Sequence, residues 1–411
     1  MSLTKRRIGW AFLAINAPQV SQTLTSLVVA PFLRPQDLGL VTLAAGIILF
    51  FEQLRDSGIN EALLREKDPS PSLFNTAGIY FLLVGFFMAL LLWPLAPLLA
   101  HLLSSPELES PLRVLSLLLP LESFSRVGNT YLLRHFAYRR LFFLQIIPLL
   151  LSLPATLYWA SRGLGFWSLI WGGLLASLIR NVLFLSVWRP RREFSLSELR
   201  RLLSFGVHIL WQFFLNWGYL NGLRLLIGKF LGTGVLGLVS LAVSLSLRPL
   251  SFLSLPLTRM ALPLLAEARE EPERFRKIYR RFLLAGLVTA LLLAIFLCLA
   301  WPPLIPRIFG PQWQGAGEII SVFAWVGALQ SLSWFTPEVL KALGRPHFIS
   351  RYFTCQVILA LTLYAYLIPR GLWSFLKGFA LFESAGALLT LALAWWTIQK
   401  SFDQSLRKRQ S

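Results

Sequence analysis

Apolar stretches long enough to cross a hydrocarbon core about 30 Å thick recur along the whole of this chain. Twelve are counted, at residues 10–33, 38–64, 73–99, 112–133, 141–159, 166–188, 204–229, 235–262, 282–301, 318–339, 352–368 and 375–398. Several exceed a minimal span, and such spans tilt or project beyond the bilayer. Charged residues make up 14% of the 411-residue chain and hydrophobic ones 56%, whereas a soluble domain is about 25% charged. Water is not the only solvent for such a sequence. The expectation is an all-α polytopic membrane protein with about 12 transmembrane helices.

Within this pattern the heptapeptide Leu38-Gly-Leu-Val-Thr-Leu-Ala44 returns as Leu236-Gly-Leu-Val-Ser-Leu-Ala242, 198 residues later and changed at one Thr/Ser position. Both copies follow a polar turn and open a long apolar segment. An echo near half the chain length predicts two pseudo-symmetric six-helix lobes, residues 1–198 and 199–411, the build of secondary transporters. The segment from Arg189 to Arg201 falls at the boundary, where Ser195 or Ser197 suits the cap of a short interfacial helix leading into the seventh span. A second charged stretch, Glu267 to Arg281, reads as a solvated connector, with Pro272 in the first turn of a helix. No loop is large enough for a soluble catalytic domain, so no catalytic residues are assigned.

The net charge of +20 raises the question of nucleic acid, and the placement of the basic residues answers it. With the spans alternating sides, 26 of the 39 Lys and Arg residues fall in segments on the N-terminal side, against 4 in the opposite loops, namely Arg34, Arg162, Arg307 and Arg370. That bias is the positive-inside rule with both termini cytoplasmic, and no nucleic-acid partner is expected, since no basic folded domain exists to bind one. Lys5-Arg6-Arg7 before the first span reads as a retained signal anchor. Cys298 and Cys355 lie in spans as packing residues. His101, His135, His208 and His347 lack metal-ligand spacing, so neither a metal nor a cofactor is expected.

Charge inside hydrocarbon costs about 2.5–3.5 kcal/mol per residue on the lenient insertion scale, so intramembrane charges mark paired or wet interior. Glu52, Arg55 and Asp56 share one face of the second span, at ~21–27 Å along the axis from Leu38. They read either as an ion pair at a helix end or as cavity lining, with Glu61 beyond them. Glu122 and Arg126, spaced i, i+4, read as a self-neutralised pair. Arg180 has no local acid and either snorkels to the cytoplasmic surface or faces the lobe interior. Arg224 and Lys229 lie near an outer end. Arg248 is near mid-span, before Pro249, with no acid within a helical turn; it suits an anionic substrate, since guanidinium takes phosphate oxygens in bidentate fashion, and structural pairing with Glu383 is the other reading. Asn16, Gln19 and Gln22 form roughly one polar face of the first span, either a sugar-binding surface or interhelical hydrogen bonding. Prolines 18, 120, 148, 154, 249 and 256 interrupt the spans.

The chain resembles the Wzx-type oligosaccharide flippases, in the branch that includes colanic-acid exporters, of the polysaccharide-exporter family and the MOP (multidrug/oligosaccharidyl-lipid/polysaccharide) exporter superfamily, which includes the MATE transporters. The stretches that carry the resemblance are Arg224-Leu-Leu-Ile-Gly-Lys-Phe-Leu-Gly232 with Leu236–Ala242, Pro256-Leu-Thr-Arg-Met-Ala-Leu-Pro263, Glu271-Pro-Glu-Arg-Phe-Arg276, Phe309-Gly-Pro-Gln-Trp313 and Ala342-Leu-Gly-Arg-Pro346, together with Pro35-Gln-Asp-Leu-Gly39 and Asp56-Ser-Gly-Ile-Asn-Glu-Ala-Leu-Leu-Arg65 in the first half. Each is short; their order and spacing are specific. The chain departs from the family at Leu223, Val239 and Ser244, and Arg248 lies one helical turn beyond Ser244 on about the same face.

The resemblance implies two six-helix lobes around a cavity lined by spans 1, 2, 7 and 8 that opens alternately to each side. The implied substrate is a polyprenyl (undecaprenyl) pyrophosphate-linked oligosaccharide repeat unit, moved from the cytoplasmic to the outer leaflet of a bacterial inner membrane for surface polysaccharide synthesis. Arg248, Arg224 and Arg55 would neutralise the pyrophosphate, Gln19 and Gln22 would meet sugar, and Glu52 or Asp56 would carry a coupling ion, H+ or Na+. Polysaccharide polymerase machinery is the implied protein partner. Two rivals stand beside this reading. A MATE-like drug or cation antiporter would favour carboxylates over buried arginines, and a membrane-embedded glycan polymerase would carry a large outer loop.

Overall fold

The computed structural model describes residues 5–66, 70–189, 191, 193–345 and 347–410. Lys67, Pro190, Arg192 and Pro346 lie outside the described residues, as do the side chains of Lys5, Arg6, Arg7, His208, Pro256, Arg407, Lys408 and Arg409. The described residues are helical but for short turns and connecting segments, with no strand among them. In order the helices are α1 (Lys5–Val29), α2 (Pro35–Asp56), α3 (Ile59–Arg65), α4 (Pro71–Leu102), α5 (Glu109–Ser116), α6 (Leu118–Leu121), α7 (Ser123–Arg134), α8 (Tyr138–Ser161), α9 (Phe166–Leu185), α10 (Leu196–Trp217), α11 (Leu223–Glu267), α12 (Pro272–Ile308), α13 (Ala316–Gln330), α14 (Thr336–Ala342), α15 (His347–Leu367) and α16 (Leu372–Gln410).

Among the described residues, nine helical segments are long and apolar enough to cross a membrane. The shortfall from twelve has local causes. The first and fourth expected spans are not among the nine, and the seventh and eighth merge into one segment over 213–270. The expected span 112–133 is not one helix. Pro120 has no N–H to give the carbonyl four residues back, and the chain opens into α5, α6 and α7 around it. The expected span 38–64 also breaks, because Ser57 and Gly58 both take left-handed backbone, with φ of 45° and 77°. Asp56 stabilises the turn by accepting from the Asn60 backbone N–H at 3.3 Å and its side-chain amide at 2.6 Å. Between the seventh and eighth expected spans, residues 218–222 form one π-helical turn and Gly232 (φ 85°) kinks α11.

The chain divides into two compact units, residues 1–237 and 238–411. In the first, Ile59, Leu63, Phe74, Phe81, Val127 and Trp188 form one apolar cluster and Ala14, Leu132, Leu141 and Phe184 a second. In the other, Leu265, Phe275, Tyr279, Phe335, Val339 and Phe402 pack together.

The loop motifs have plain physical roles. Pro35 opens α2 at N1 and Asp37 caps it, accepting from the Arg34 N–H at 2.9 Å and, across the unit, from the Phe166 N–H at 3.1 Å. In Phe309-Gly-Pro-Gln-Trp313, Gly310 supplies φ 98°, Gln312 donates to the Phe309 carbonyl at 3.0 Å, and Trp313 is fully buried. Gly344 (φ 74°) ends α14, and the Arg345 N–H returns to the Leu340 carbonyl at 2.8 Å, the glycine C-cap pattern. Cys298 and Cys355 are both free.

Ser195 caps α10, but no separate interfacial helix precedes the span, since α10 runs unbroken from Leu196 to Trp217. Its first turn is pinned by Glu198, which accepts from Ser70 (2.7 Å), Ser72 (2.8 Å) and Thr76 (3.3 Å) on and before α4. Arg201 pairs with Glu66 nearby. Pro272 opens α12 as expected, and Arg274 reaches back to Glu267 and Glu271 at 2.7 and 3.1 Å. Those two carboxylates hold its guanidinium above its ordinary pKa.

Candidate functional site

The polar interior of residues 1–237 is built where α2, α7 and α9 face one another. Arg126 is its hub. Its guanidinium meets Glu52 at 2.5 Å, Asp56 at 3.7 Å and Glu122 at 3.9 Å. The expected self-neutralised pair of Glu122 and Arg126 is thus the longest of the three contacts. Glu122 instead receives Arg180 at 3.5 Å and the Ser177 hydroxyl at 3.2 Å. Arg180, without a local acid in sequence, therefore faces the unit's interior. Asn181 accepts from the Ser125 N–H at 3.1 Å, and Thr130 donates to Asn60 at 2.7 Å, extending the network at both ends.

Arg55 sits within this group and behaves differently. It is fully buried, at 0% exposure, and none of its three guanidinium nitrogens has a hydrogen-bond partner among the described residues. The Phe81 ring lies 5.9 Å from its charge centre. Three acids and three arginines make the group formally neutral, which is what hydrocarbon requires of buried charge. Of the residues on the shared face of α2, Glu52 and Asp56 join Arg126, and Arg55 does not take part in those pairs.

The remaining candidates are placed as follows. Arg224 is half-buried and donates to Asn221 of the π turn at 3.2 Å. Arg248 is half-buried in α11, within the unit of residues 238–411. Gln19 and Gln22 are exposed on α1, while Asn16 is buried and donates to the Phe12 carbonyl at 2.7 Å. Glu383, 1% exposed on α16, accepts from Tyr364 at 2.7 Å and Gln330 at 3.0 Å, tying α13, α15 and α16 together.

Beside the charge network, α2 crosses α10 and α11 at van der Waals distance. A Cβ on Gly39 would lie 1.8 Å from the Thr233 carbonyl oxygen, and a Cβ on Gly237 would lie 1.8 Å from that of Pro35. Each glycine therefore meets the residue four before the other. The two glycines are the matching positions of the repeated heptapeptide, so the repeat packs on itself. Further along, Gly228 admits Leu43, and Trp217 donates to the Gly46 carbonyl at 3.0 Å.

Sequence reasoning missed Asn60, Thr130, Ser177 and Asn181. Ser177 and Asn181 flank Arg180 at i−3 and i+1 in an otherwise apolar span, and that polar triplet was the available signal. It also missed Glu198, whose partners lie more than 100 residues away.

The fold and this interior define a helical, multi-pass membrane protein with a buried charge network. The chain belongs to the family described as "Polysaccharide biosynthesis protein", which matches residues 28–318. It is similar to the succinoglycan biosynthesis transport protein ExoT of Rhizobium meliloti, 26% identical over 83% of this chain and 69% of the relative. It is also similar to the lipopolysaccharide biosynthesis protein WzxC of Escherichia coli, at 24% over 77% and 65%. The teichuronic acid biosynthesis protein TuaB of Bacillus subtilis matches at 24% over 84% and 69%. The chain thus spans about two thirds of the length of these relatives. Among solved structures, an inward-facing multidrug resistance MATE family transporter of the MOP superfamily superposes with a TM-score of 0.75 at 14% identity, over 96% of this chain and 99% of that one. The lipid II flippase MurJ in an inward closed conformation gives 0.71 at 13%, over 96% and 89%. The fold is that of the MOP transporters, all-α with two pseudo-symmetric lobes.

Proposed function

We propose that the protein is a flippase that carries polyprenyl pyrophosphate-linked oligosaccharide repeat units from the cytoplasmic to the outer leaflet of a bacterial inner membrane, by alternating access. The observation that carries the reading is the match of residues 28–318 to the polysaccharide biosynthesis family on a transporter fold shared with a lipid-linked glycan flippase. Intramembrane arginines supply the chemistry such cargo needs, because guanidinium neutralises pyrophosphate while the lipid tail stays in the bilayer. In this reading Arg248 and Arg224 contact the pyrophosphate, and Arg55 joins them in a state that exposes it. Gln19 and Gln22, exposed on α1, meet sugar. Glu52 and Asp56 carry the coupling ion, H+ or Na+, by exchanging it for Arg126. The lobes are residues 1–198 and 199–411, both termini are cytoplasmic, and product passes to polysaccharide polymerase machinery.

The test is deletion of the gene, extraction of polyprenyl-linked glycans, and complementation with wild type, Arg248→Ala or Arg248→Lys at matched membrane levels. Accumulation of a lipid-linked repeat unit with loss of surface polymer, rescued by wild type and not by Arg248→Ala, is expected. An unchanged lipid-linked pool and unchanged surface polymer would refute the reading and favour a drug or cation antiporter.

A further inference from the structure

We infer that residues 1–237 carry a second anion site, at the basic-rich end of the spans, that takes a phosphate-bearing headgroup of an anionic lipid. A cavity of about 680 Å³ opens there between α4, α7 and the segment following α9. Arg134, Arg189 and Arg191 line it together with His135, and none of the described lining residues is an acid. The site is therefore a concentration of fixed positive charge, of the kind that binds lipid phosphate where helices meet the membrane surface.

The three arginines are held by different means. Arg134 donates to the backbone carbonyls of Leu63 and Leu64 at 3.1 and 3.2 Å, which fixes its guanidinium at the C-terminal end of α3. The Arg191 N–H donates to the Asn75 side chain at 3.2 Å, and Asn75 in turn donates to Glu193 at 3.2 Å. The backbone beside Arg191 is thus positioned, while its side chain is exposed. The Arg189 and Arg191 side chains make no ion pair among the described residues. Glu193, two residues from Arg191 in sequence, is already engaged by Asn75.

The rest of the wall suits an amphiphile. Trp188 and Phe74 contribute apolar surface, and the Tyr131 ring lies tilted against His135 at 4.1 Å and meets Phe74 at 5.6 Å. Aromatic rings beside arginines at a span end match the headgroup region of a bilayer, where a ring keeps one side apolar and the other wet. A soluble phosphate shares the charge chemistry but has no use for that apolar wall. A bound headgroup would bridge residues 187–191 to α4 and α7, adding to the clamp that Glu198 makes a turn further on. This inference does not rest on the identity of the transported cargo.

The test uses the full-length protein in phosphatidylcholine nanodiscs, titrated with phosphatidylglycerol and read by native mass spectrometry as lipid retained. Four proteins are compared: wild type, R189Q/R191Q, R189K/R191K and R280Q/R281Q, the last pair being exposed basic residues of the other unit. An arginine held against a lipid phosphate contributes about a fivefold preference for anionic lipid, and Arg189 and Arg191 both line the one cavity, so R189Q/R191Q should weaken retention of phosphatidylglycerol at that site roughly ten- to thirtyfold. The lysine pair should retain most of it, and R280Q/R281Q should match wild type. A parallel arm adds inorganic phosphate alone. Failure of millimolar phosphate to displace the lipid supports a headgroup site; displacement supports the same site with a soluble phosphate as its ligand. Equal retention by wild type and R189Q/R191Q, or an equal loss in R280Q/R281Q, would overturn the inference in favour of diffuse surface charge.

Discussion

The crossing of the two repeat copies makes a sharp prediction. Gly39→Ala and Gly237→Ala each place a methyl 1.8 Å from a backbone carbonyl oxygen of the facing helix. Ordinary contact begins at 3.4 Å, so α2 and α11 must part by roughly 1.6 Å to admit either methyl. A gap of even 0.5–1 Å forfeits about a quarter to a half of each dispersion contact along the seam. Overpacking of this kind costs about 1–3 kcal/mol. At about 2 °C or more per kcal/mol for a unit of this size, each variant should melt several degrees below wild type in one detergent. The two distances are the same, so the two losses should be similar. They should also couple. Once one methyl has opened the seam the other enters the same gap, and the double variant should lose less than the sum. Gly173→Ala is the control, because a Cβ there meets nothing within 4 Å on α9, and alanine is the better helix former by about 1 kcal/mol. If G39A and G237A melt with G173A, or if their losses are strictly additive, the close crossing is not what holds these helices.

Three further outcomes follow from the polar contacts. Arg126→Leu leaves Glu52 and Asp56 without their cation in the membrane and should cost about 3–5 kcal/mol, seen as lost monodisperse protein, with Arg126→Leu/Glu52→Gln recovering part of it; full stability of Arg126→Leu would dismiss the hub. Arg55→Met breaks no hydrogen bond but leaves the six-residue group one negative charge in excess, so melting should fall, by less than in Arg126→Leu, and Arg55→Met/Glu52→Gln should recover it; unchanged melting of Arg55→Met would show that the group does not depend on its zero sum. Glu198→Ala strips an acceptor from Ser70, Ser72 and Thr76, and about 1–2 kcal/mol of lost closure should speed tryptic cleavage within residues 189–201 by roughly five- to thirtyfold; an unchanged cleavage rate would mean the clamp does not restrain the linker.

The parts of this fold that were legible in sequence are those governed by one helix at a time. Most spans follow from apolar runs, and the loop turns follow from residues such as Gly310 and Gly344, each of which takes positive φ, whereas the break at Ser57 and Gly58 inside an apolar run was not legible. The echoed heptapeptide was legible as a repeat, but not as a contact, because sequence spacing carries no information on which helix a glycine faces. The charge network failed for the same reason. Helical spacing favours Glu122 with Arg126, since i, i+4 acids and bases meet on one surface. The rotation of α2 against α7 instead brings Glu52 to 2.5 Å and leaves Glu122 at 3.9 Å. The choice among three acids was made by packing.

That choice bears on how such a group can serve transport. Glu52, Asp56, Glu122, Arg55, Arg126 and Arg180 sum to zero charge, so the resting arrangement tolerates low dielectric. It does so asymmetrically, because Arg126 holds three carboxylates while Arg55 holds none. Transfer of Glu52 from Arg126 to Arg55 would change no charge and break no fold contact outside the group. Neutralising one acid, by a proton or a cation, would by contrast leave one arginine in excess and favour any state that admits an anion. A neutral cluster with one idle cation is therefore poised to exchange partners at low cost and to answer strongly to a single added charge. The response to an added charge depends only on the zero sum, whereas the exchange of partners depends on the arrangement, since the same six residues paired one to one would leave no idle arginine to receive an acid.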